Sequence, residues 1–228
     1  MAGIAFLGTI RRMTAKKLEP SPVKSVWLIG GIISLVVVAA IIAVASQSGD
    51  ADEVLTGVQE FGKVEVVGDS LPEFSDAAID PAIGMMAPVL TGQGFTGNLV
   101  VTGPGAPTLL VFLAHWCGFC QREVPLLIKW NSAGKVPSGL DVIAITTSTD
   151  PASPNFPPSE WLAREKFPPL WPVMTDSGEK TAATAFGVSG FPFFVLLDAE
   201  GKVALRLSGE VATELLTEQI NQALRRTN

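Results

Sequence analysis

The second half of the chain alternates short apolar runs with segments of helical pattern. The apolar runs are rich in strand formers and predict buried strands at residues 108–114, 140–147, 171–175 and 193–198, with a further strand at 202–207. Helices are predicted at 121–130, 161–167 and 210–226, and Asp176 or Ser177 can cap another that Gly187 ends. This order of elements predicts an α/β fold in which helices flank a mixed central sheet.

A long apolar run lies near the start of the chain. Residues 26–45 carry no charged side chain, and a helix of that length, at ~1.5 Å per residue, spans the ~30 Å hydrocarbon core of a membrane. Basic residues precede the run and acidic residues follow it, which predicts a single-pass anchor in the cell membrane with a cytoplasmic N-terminus. A cleaved signal peptide is the alternative, because Ala43-Val44-Ala45 before Ser46 resembles a cleavage site.

These features divide the chain into four predicted parts. Residues 1–25 form a basic cytoplasmic segment, 26–45 the transmembrane helix, 46–60 an acidic linker and 61–228 a folded domain outside the cytoplasm. The domain begins with a short strand within 61–67, and the Gly- and Pro-rich stretch 68–107 predicts further short strands and turns. The formal net charge of −6 argues against binding to nucleic acid, which requires a basic face.

The candidate chemistry lies where the strand at 108–114 gives way to a helix. Cys117 falls at the helix N-terminus, where unpaired N–H groups and the helix dipole favour an anion such as a thiolate. Cys120 follows almost one turn later, close enough to attack a mixed disulfide formed at Cys117. The alternative is an inert disulfide, but a bridge that encloses two residues stabilises a fold little.

The cysteine count limits the other kinds of site. The chain has two cysteines and a single histidine, His115, so a Cys2His2 zinc set cannot be assembled. We therefore expect no metal and no cofactor, and a redox-active Cys117–Cys120 disulfide as the only redox group.

Two segments resemble a known family. The block VFLAHWCGFCQREVP resembles the active site of thioredoxin-fold proteins, and more narrowly that of TlpA-like and ResA-like membrane-anchored thiol-disulfide oxidoreductases. The segment GVSGFP, followed by FFVLLDAEGKV, is similar to the family segment that contains a cis-proline. The resemblance covers roughly residues 95–228 and implies a thioredoxin-like fold, protein thiols and disulfides as substrates, and a membrane redox partner.

The resemblance also implies roles for individual residues. Cys117 corresponds to the exposed nucleophile and Cys120 to the resolving thiol, with Gly118 and Phe119 between them tuning the redox potential. Pro192 corresponds to the cis-proline opposite the pair, with an ordinary trans turn as the alternative. The backbone of the preceding Phe191 would pair with an extended substrate strand.

Three further residues near the pair have open roles. Glu123 could move protons if it is partly buried, or it could be a solvated acid in the first helical turn. Val111 stands where thioredoxin has a buried Asp, which gives Glu123 more weight. His115 could be protonated and support the thiolate or only pack at the rim, and Trp116 could shield the site and contact substrate or only pack.

The function expected from the sequence is thiol-disulfide exchange outside the cytoplasm. The resemblance slightly favours a reductase, for example in cytochrome c maturation or redox homeostasis, over a disulfide-forming oxidant. A Sco-like copper metallochaperone is an alternative hypothesis. Proteins of that type have cysteines one residue further apart and a distant His ligand, whereas the single histidine of this chain is His115. A peroxiredoxin-like peroxidase lacks its expected loop, and a catalytically silent binding module is the remaining alternative.

Overall fold

The computed structural model describes residues 57–75 and 79–227. The strands in this part of the chain are β1 Glu65–Val67, β2 Val89–Gln93, β3 Leu99–Val101, β4 Thr108–Leu113, β5 Asp141–Thr146, β6 Val173–Thr175, β7 Phe193–Leu197 and β8 Val203–Ser208. The helices are α1 Gly118–Ser132, α2 Pro158–Glu165, α3 Thr181–Ala185 and α4 Thr213–Thr227.

The larger sheet has five strands in the order β6-β5-β4-β7-β8. The central strand β4 runs parallel to β5 and antiparallel to β7, so the sheet is mixed, as the sequence predicts. Every residue of β4 and β7 is buried, which agrees with their uninterrupted apolar sequences. The segment that carries Cys117 comes directly after the end of β4 in the chain.

The two faces of β4 belong to two hydrophobic clusters. Leu109, Val111 and Leu113 pack with residues of α1 and α4 on one face. Leu110 and Phe112 pack on the other face with α3 and the smaller sheet. Because side chains alternate along a strand, the buried strand forms the centre of both halves of the core.

The smaller sheet is antiparallel and has the order β1-β2-β3. Its strands account for the first strand predicted within 61–67 and for part of the Gly- and Pro-rich stretch at 68–107. The order of these strands was not predicted, because short strands separated by many turn residues leave their pairing open.

All four helices differ from their predicted bounds by a few residues; α1 begins at Gly118 rather than at Gln121, and α4 begins at Thr213 rather than at Glu210. Helix α2 begins at Pro158 rather than at Trp161, since a proline is well accommodated in the first turn, where no N–H is needed. Helix α3 begins only at Thr181, with Lys180 and not Asp176 or Ser177 as its N-cap residue. The Asp176 carboxylate nevertheless accepts hydrogen bonds from the N–H groups of Ala182 and Ala183 in the first turn. Gly187 follows this helix with φ +64°, as expected of a terminating glycine.

The predicted membrane anchor at 26–45 lies outside the described residues, as do the segment 1–25 and most of the linker at 46–60. Within the described ranges, no helix combines the length and the apolar character needed to cross a membrane.

Candidate active site

Cys117 occupies the junction between β4 and α1. It is the N-cap residue of α1, and its backbone N–H donates to the carbonyl oxygen of Ala114 over 3.0 Å. Its side chain is 9 % exposed, whereas that of Cys120 is 0 % exposed. Both cysteines carry free thiols in this structure. The exposed nucleophile that the resemblance implies is thus largely buried in this structure, although Cys117 is the more accessible of the two cysteines.

Cys120 lies beneath Cys117 in the core. The backbone N–H of Ala114 points to its sulfur over 3.5 Å. Burial raises the pKa of the Cys120 thiol, and charge on Cys117 and Glu123 acts in the same direction, while the Ala114 N–H opposes it only in part. Cys120 must therefore lose its proton to a nearby base before it can act as a nucleophile.

The segment that carries Pro192 faces the cysteine pair. The Phe191–Pro192 peptide bond is cis, which confirms the prediction made from the motif. The carbonyl oxygen of Phe191 accepts the thiol of Cys117 over 3.5 Å. The residues that the sequence placed 74 positions apart are thus in contact.

Glu123 is buried in the second turn of α1. Of the two alternatives left open, the solvated acid in the first turn is wrong, because Glu123 is 0 % exposed and its carboxyl group faces the segment that enters α4. Oε2 accepts a hydrogen bond of 3.0 Å from the N–H of Val211, and Oε1 has no partner among the described residues. Burial raises the pKa of Glu123 to about 7, and the charge of Glu210 adds to the effect.

His115 lies below the site and not at its rim. Its Nδ1 is 2.7 Å from the carbonyl oxygen of Pro154, and its Nε2 is 3.1 Å from the N–H of Asp150. An imidazole that carries its proton on Nδ1 satisfies both hydrogen bonds, because Nδ1 then donates to Pro154 and Nε2 accepts from Asp150. His115 therefore ties the loop at 148–157 to the end of β4, and this geometry does not aim a cationic ring at Cys117.

Trp116 and Phe119 form a partly exposed aromatic rim around the pair. The indole N–H of Trp116 donates to the carbonyl oxygen of Ser148 over 2.7 Å, and its ring stands perpendicular to that of Phe191 with centroids 6.1 Å apart. The ring of Phe119 is 54 % exposed and lies 4.7 Å from the guanidinium carbon of Arg122. An apolar rim of this kind suits contact with another protein.

Arg122 is a site neighbour that the sequence reasoning missed. It donates to the carbonyl oxygen of Gly118 over 3.2 Å and pairs with Glu210 over 2.9 Å. The four-residue spacing from Gly118 places Arg122 on the same helix face, which is a signal that could have been used. The partners Ser148 and Val211 contribute backbone atoms from distant loops, for which the sequence carries no signal.

The arrangement contains the parts that disulfide exchange requires. A reachable thiol is followed by a buried second thiol, a carboxyl group with a raised pKa lies on the same helix, and backbone groups flank the reachable sulfur. The structure brings Cys117 and Trp116 into contact with Phe191. Cys120 and Glu123 lie on the same helix, and His115 bonds to the loop instead of the sulfur.

Comparison with known proteins gives a consistent family. The Redoxin family model matches residues 66–224. The ResA thiol-disulfide oxidoreductase of Bacillus thuringiensis (strain Al Hakam) is 34% identical over 113 residues, which are 49% of this chain and 60% of the relative. The methylamine utilization protein MauD of Methylophilus methylotrophus is 30% identical over 127 residues, which are 54% of each chain. The chain thus spans less than two thirds of either relative.

A solved structure shows the same fold. The crystal structure of a candidate thiol:disulfide interchange protein DsbE from Chlorobium tepidum has a TM-score of 0.51 and 28% sequence identity to this chain. The match covers 62% of this chain and 97% of that one. The fold is therefore thioredoxin-like.

Proposed function

The chain belongs to the Redoxin family, and from this premise we propose that it is a thiol-disulfide oxidoreductase that acts on protein clients. The observation that carries the proposal is the position of Cys117, reachable at a helix N-terminus and in contact with Phe191, with Cys120 buried below it. The relatives that match it include one named a thiol-disulfide oxidoreductase. No cofactor is required beyond the Cys117–Cys120 pair.

The exchange proceeds in two steps in the reducing direction. The Cys117 thiolate attacks one sulfur of a client disulfide, so that a mixed disulfide forms and the other client sulfur leaves as a thiolate. Cys120 then attacks the Cys117 sulfur, which forms the Cys117–Cys120 disulfide and releases the second client thiolate. The client gains two electrons and the enzyme pair loses two, and the reverse sequence oxidises a client dithiol.

Glu123 is the proposed acceptor of the Cys120 proton. It lies three residues after Cys120, and its charge raises the pKa of that thiol. One of its oxygens has no hydrogen-bond partner among the described residues. A carboxyl group with a pKa of about 7 can take up and release a proton near neutral pH. The buried site holds this group close to the thiol whose pKa burial raises.

The environment of Cys120 supports the reducing direction. A strongly oxidising pair holds a stabilised thiolate in its reduced form, and the burial of Cys120 offers that residue no such stabilisation. A thiol with a raised pKa is also a poor leaving group, which makes the enzyme disulfide harder to open. We therefore favour a reductase over a disulfide-forming oxidant.

The proposed place of action is the outer side of a membrane. The uncharged run at 26–45, preceded by basic and followed by acidic residues, supports a single-pass anchor with the domain outside the cytoplasm. Because that compartment is oxidising, the enzyme would need electrons from a membrane dithiol partner. Cytochrome c maturation is the process that the family resemblance favours.

Trapping of the mixed disulfide tests the proposal. In the full-length chain, Cys120→Ser should accumulate a disulfide between Cys117 and a client protein, since the resolving thiol is missing. Cys117→Ser should accumulate none, and mass spectrometry of non-reduced samples distinguishes the two. Equal capture by both variants, or by neither, would overturn the assignment of the two thiols.

A further inference from the structure

A small cavity lies beside the turn that carries Pro192. Its volume is about 250 Å³, which is enough for one side chain, and its lining includes Ser148, Lys180, Thr184, Val188, Ser189 and Phe191. It is separate from the cysteine pair, and the exchange mechanism above makes no use of it.

Two lining residues join this cavity to the candidate active site. Phe191 lines it and accepts the thiol of Cys117 through its carbonyl oxygen over 3.5 Å. Ser148 also lines it and accepts the indole N–H of Trp116 over 2.7 Å. A client strand lying along Phe191 would therefore pass the mouth of the cavity within one or two residues of its reactive cysteine, since a strand advances about 3.3 Å per residue.

Lys180 gives the cavity a positive charge. It is the charged residue of the lining, and it takes part in none of the ion pairs formed among the described residues. Its backbone is fixed, because its N–H donates to Ser177 over 3.0 Å and its carbonyl accepts from Thr184 over 2.9 Å. The carboxylate of Asp176 nearby is already occupied by the N–H groups of α3 and by Thr147.

We propose that this cavity binds an acidic side chain of the client, an Asp or Glu within two residues of the reactive cysteine. The inference rests on the proposed exchange function and deepens it. Lys180 supplies the charge that a carboxylate needs, and the hydroxyls of Thr184 and Ser189 supply hydrogen-bond donors. Lys180 is thus a specificity-determining residue for the client.

Matched peptide disulfides test this assignment. Each pair of peptides is identical except that one carries Glu and the other Gln, at one or two positions on either side of the cysteine. With the full-length chain reduced beforehand, each molecule reduces one peptide disulfide and is itself oxidised. We expect the second-order rate constant of this single turnover to be about threefold higher for the Glu peptide at its best position, the scale of a partly exposed ion pair. The ratio should fall toward one at about 1 M salt, where charges are screened beyond about 3 Å.

Substitutions at Lys180 assign the preference to the cavity. Lys180→Met should bring the ratio of Glu to Gln peptides to about one, and Lys180→Glu should invert it. Lys166→Met is the matched control, because Lys166 is also exposed and has the same φ of +61° but lies outside the cavity. It should retain the wild-type ratio. If Lys180→Met is poorly folded, Lys180→Gln makes the same test.

The outcomes separate this inference from the proposed function. If both peptides are reduced equally at every position by the wild-type chain, or if Lys180→Met and Lys166→Met change the ratio alike, the acidic specificity is overturned while exchange stands. If neither peptide is reduced by wild type, the exchange function itself fails.

Discussion

The carboxyl group of Glu123 accepts a hydrogen bond of 3.0 Å from the backbone N–H of Val211, a residue 88 positions further along the chain. This contact joins the cysteine-bearing helix α1 to the segment that enters α4. It also buries an acid beside Cys120 and leaves Oε1 without a partner among the described residues. The stability and the chemistry of the site should both depend on the protonation of this group.

Glu123 should make the protein less stable as pH rises. Its folded pKa, about 7, lies above the unfolded value of 4.5, so the folded state binds the proton more tightly. The stabilisation is complete below the unfolded pKa and is lost as pH rises through the folded one. Between about pH 5 and pH 8 the loss should be on the order of 2 kcal/mol.

Urea denaturation at several pH values measures this effect. The difference in unfolding free energy between wild type and Glu123→Gln should change by that amount across the range, in favour of the variant at high pH. Glu218→Gln, at an exposed position of α4, should follow the wild-type curve. Parallel curves for wild type and Glu123→Gln would refute the raised pKa.

The same substitution should slow the second chemical step. Without the carboxylate, the Cys120 thiol has no adjacent base, and loss of such a group costs about a hundredfold in rate. Rapid acid quenching of single-turnover reactions should show that the mixed disulfide at Cys117 persists in Glu123→Gln, while its formation changes much less. The wild-type rate of the second step should rise through about pH 7. An unchanged second step would remove Glu123 from proton transfer.

His115 should stabilise the loop at 148–157 through both ring nitrogens. His115→Ala leaves the carbonyl oxygen of Pro154 and the backbone N–H of Asp150 without the hydrogen-bond partners that the ring supplies. We expect a loss of about 2–4 kcal/mol in chemical denaturation. Asp150→Ala keeps the backbone N–H that His115 accepts and should cost less than about 1 kcal/mol. Similar losses for the two variants would contradict this role.

Gly187 should not tolerate a side chain, for a reason beyond its backbone conformation. A Cβ there would overlap the carbonyl oxygen of Pro72, whereas Gly134, with the same φ of +64°, has open space around it. Gly134→Ala should cost only the strain of that conformation, about 1 kcal/mol. Gly187→Ala should lower the free energy of unfolding by at least about 2 kcal/mol more, because the backbone at Pro72 must move to make room for the Cβ. Equal melting temperatures for the two variants would refute the close contact.

The sequence predicted the centre of the site well because its determinants are local. A buried strand followed by a helix fixes the position of Cys117, and helical spacing places Cys120 and Glu123 on successive turns. The cis peptide at Pro192 followed from a motif and not from local physics. The mixed sheet followed from the order and apolarity of its strands.

The surroundings of Glu123 and His115 could not be predicted in the same way. Whether Glu123 is buried depends on where Val211 and α4 pack against α1, which is a matter of tertiary contact. His115 meets backbone groups 35 and 39 positions away, in a loop whose composition showed only that it would be irregular. The pairing of the three short strands at 65–101 was open for the same reason.

The equilibrium reduction potential of the Cys117–Cys120 pair in the full-length chain is the most direct test of the account. Titration in thiol buffers, followed by the fluorescence of Trp116 and by thiol alkylation, should show one reversible two-electron couple at ~−250 mV or lower. A value near ~−120 mV would contradict the reducing direction and indicate an oxidant of client proteins. Absence of any reversible couple would contradict disulfide exchange itself.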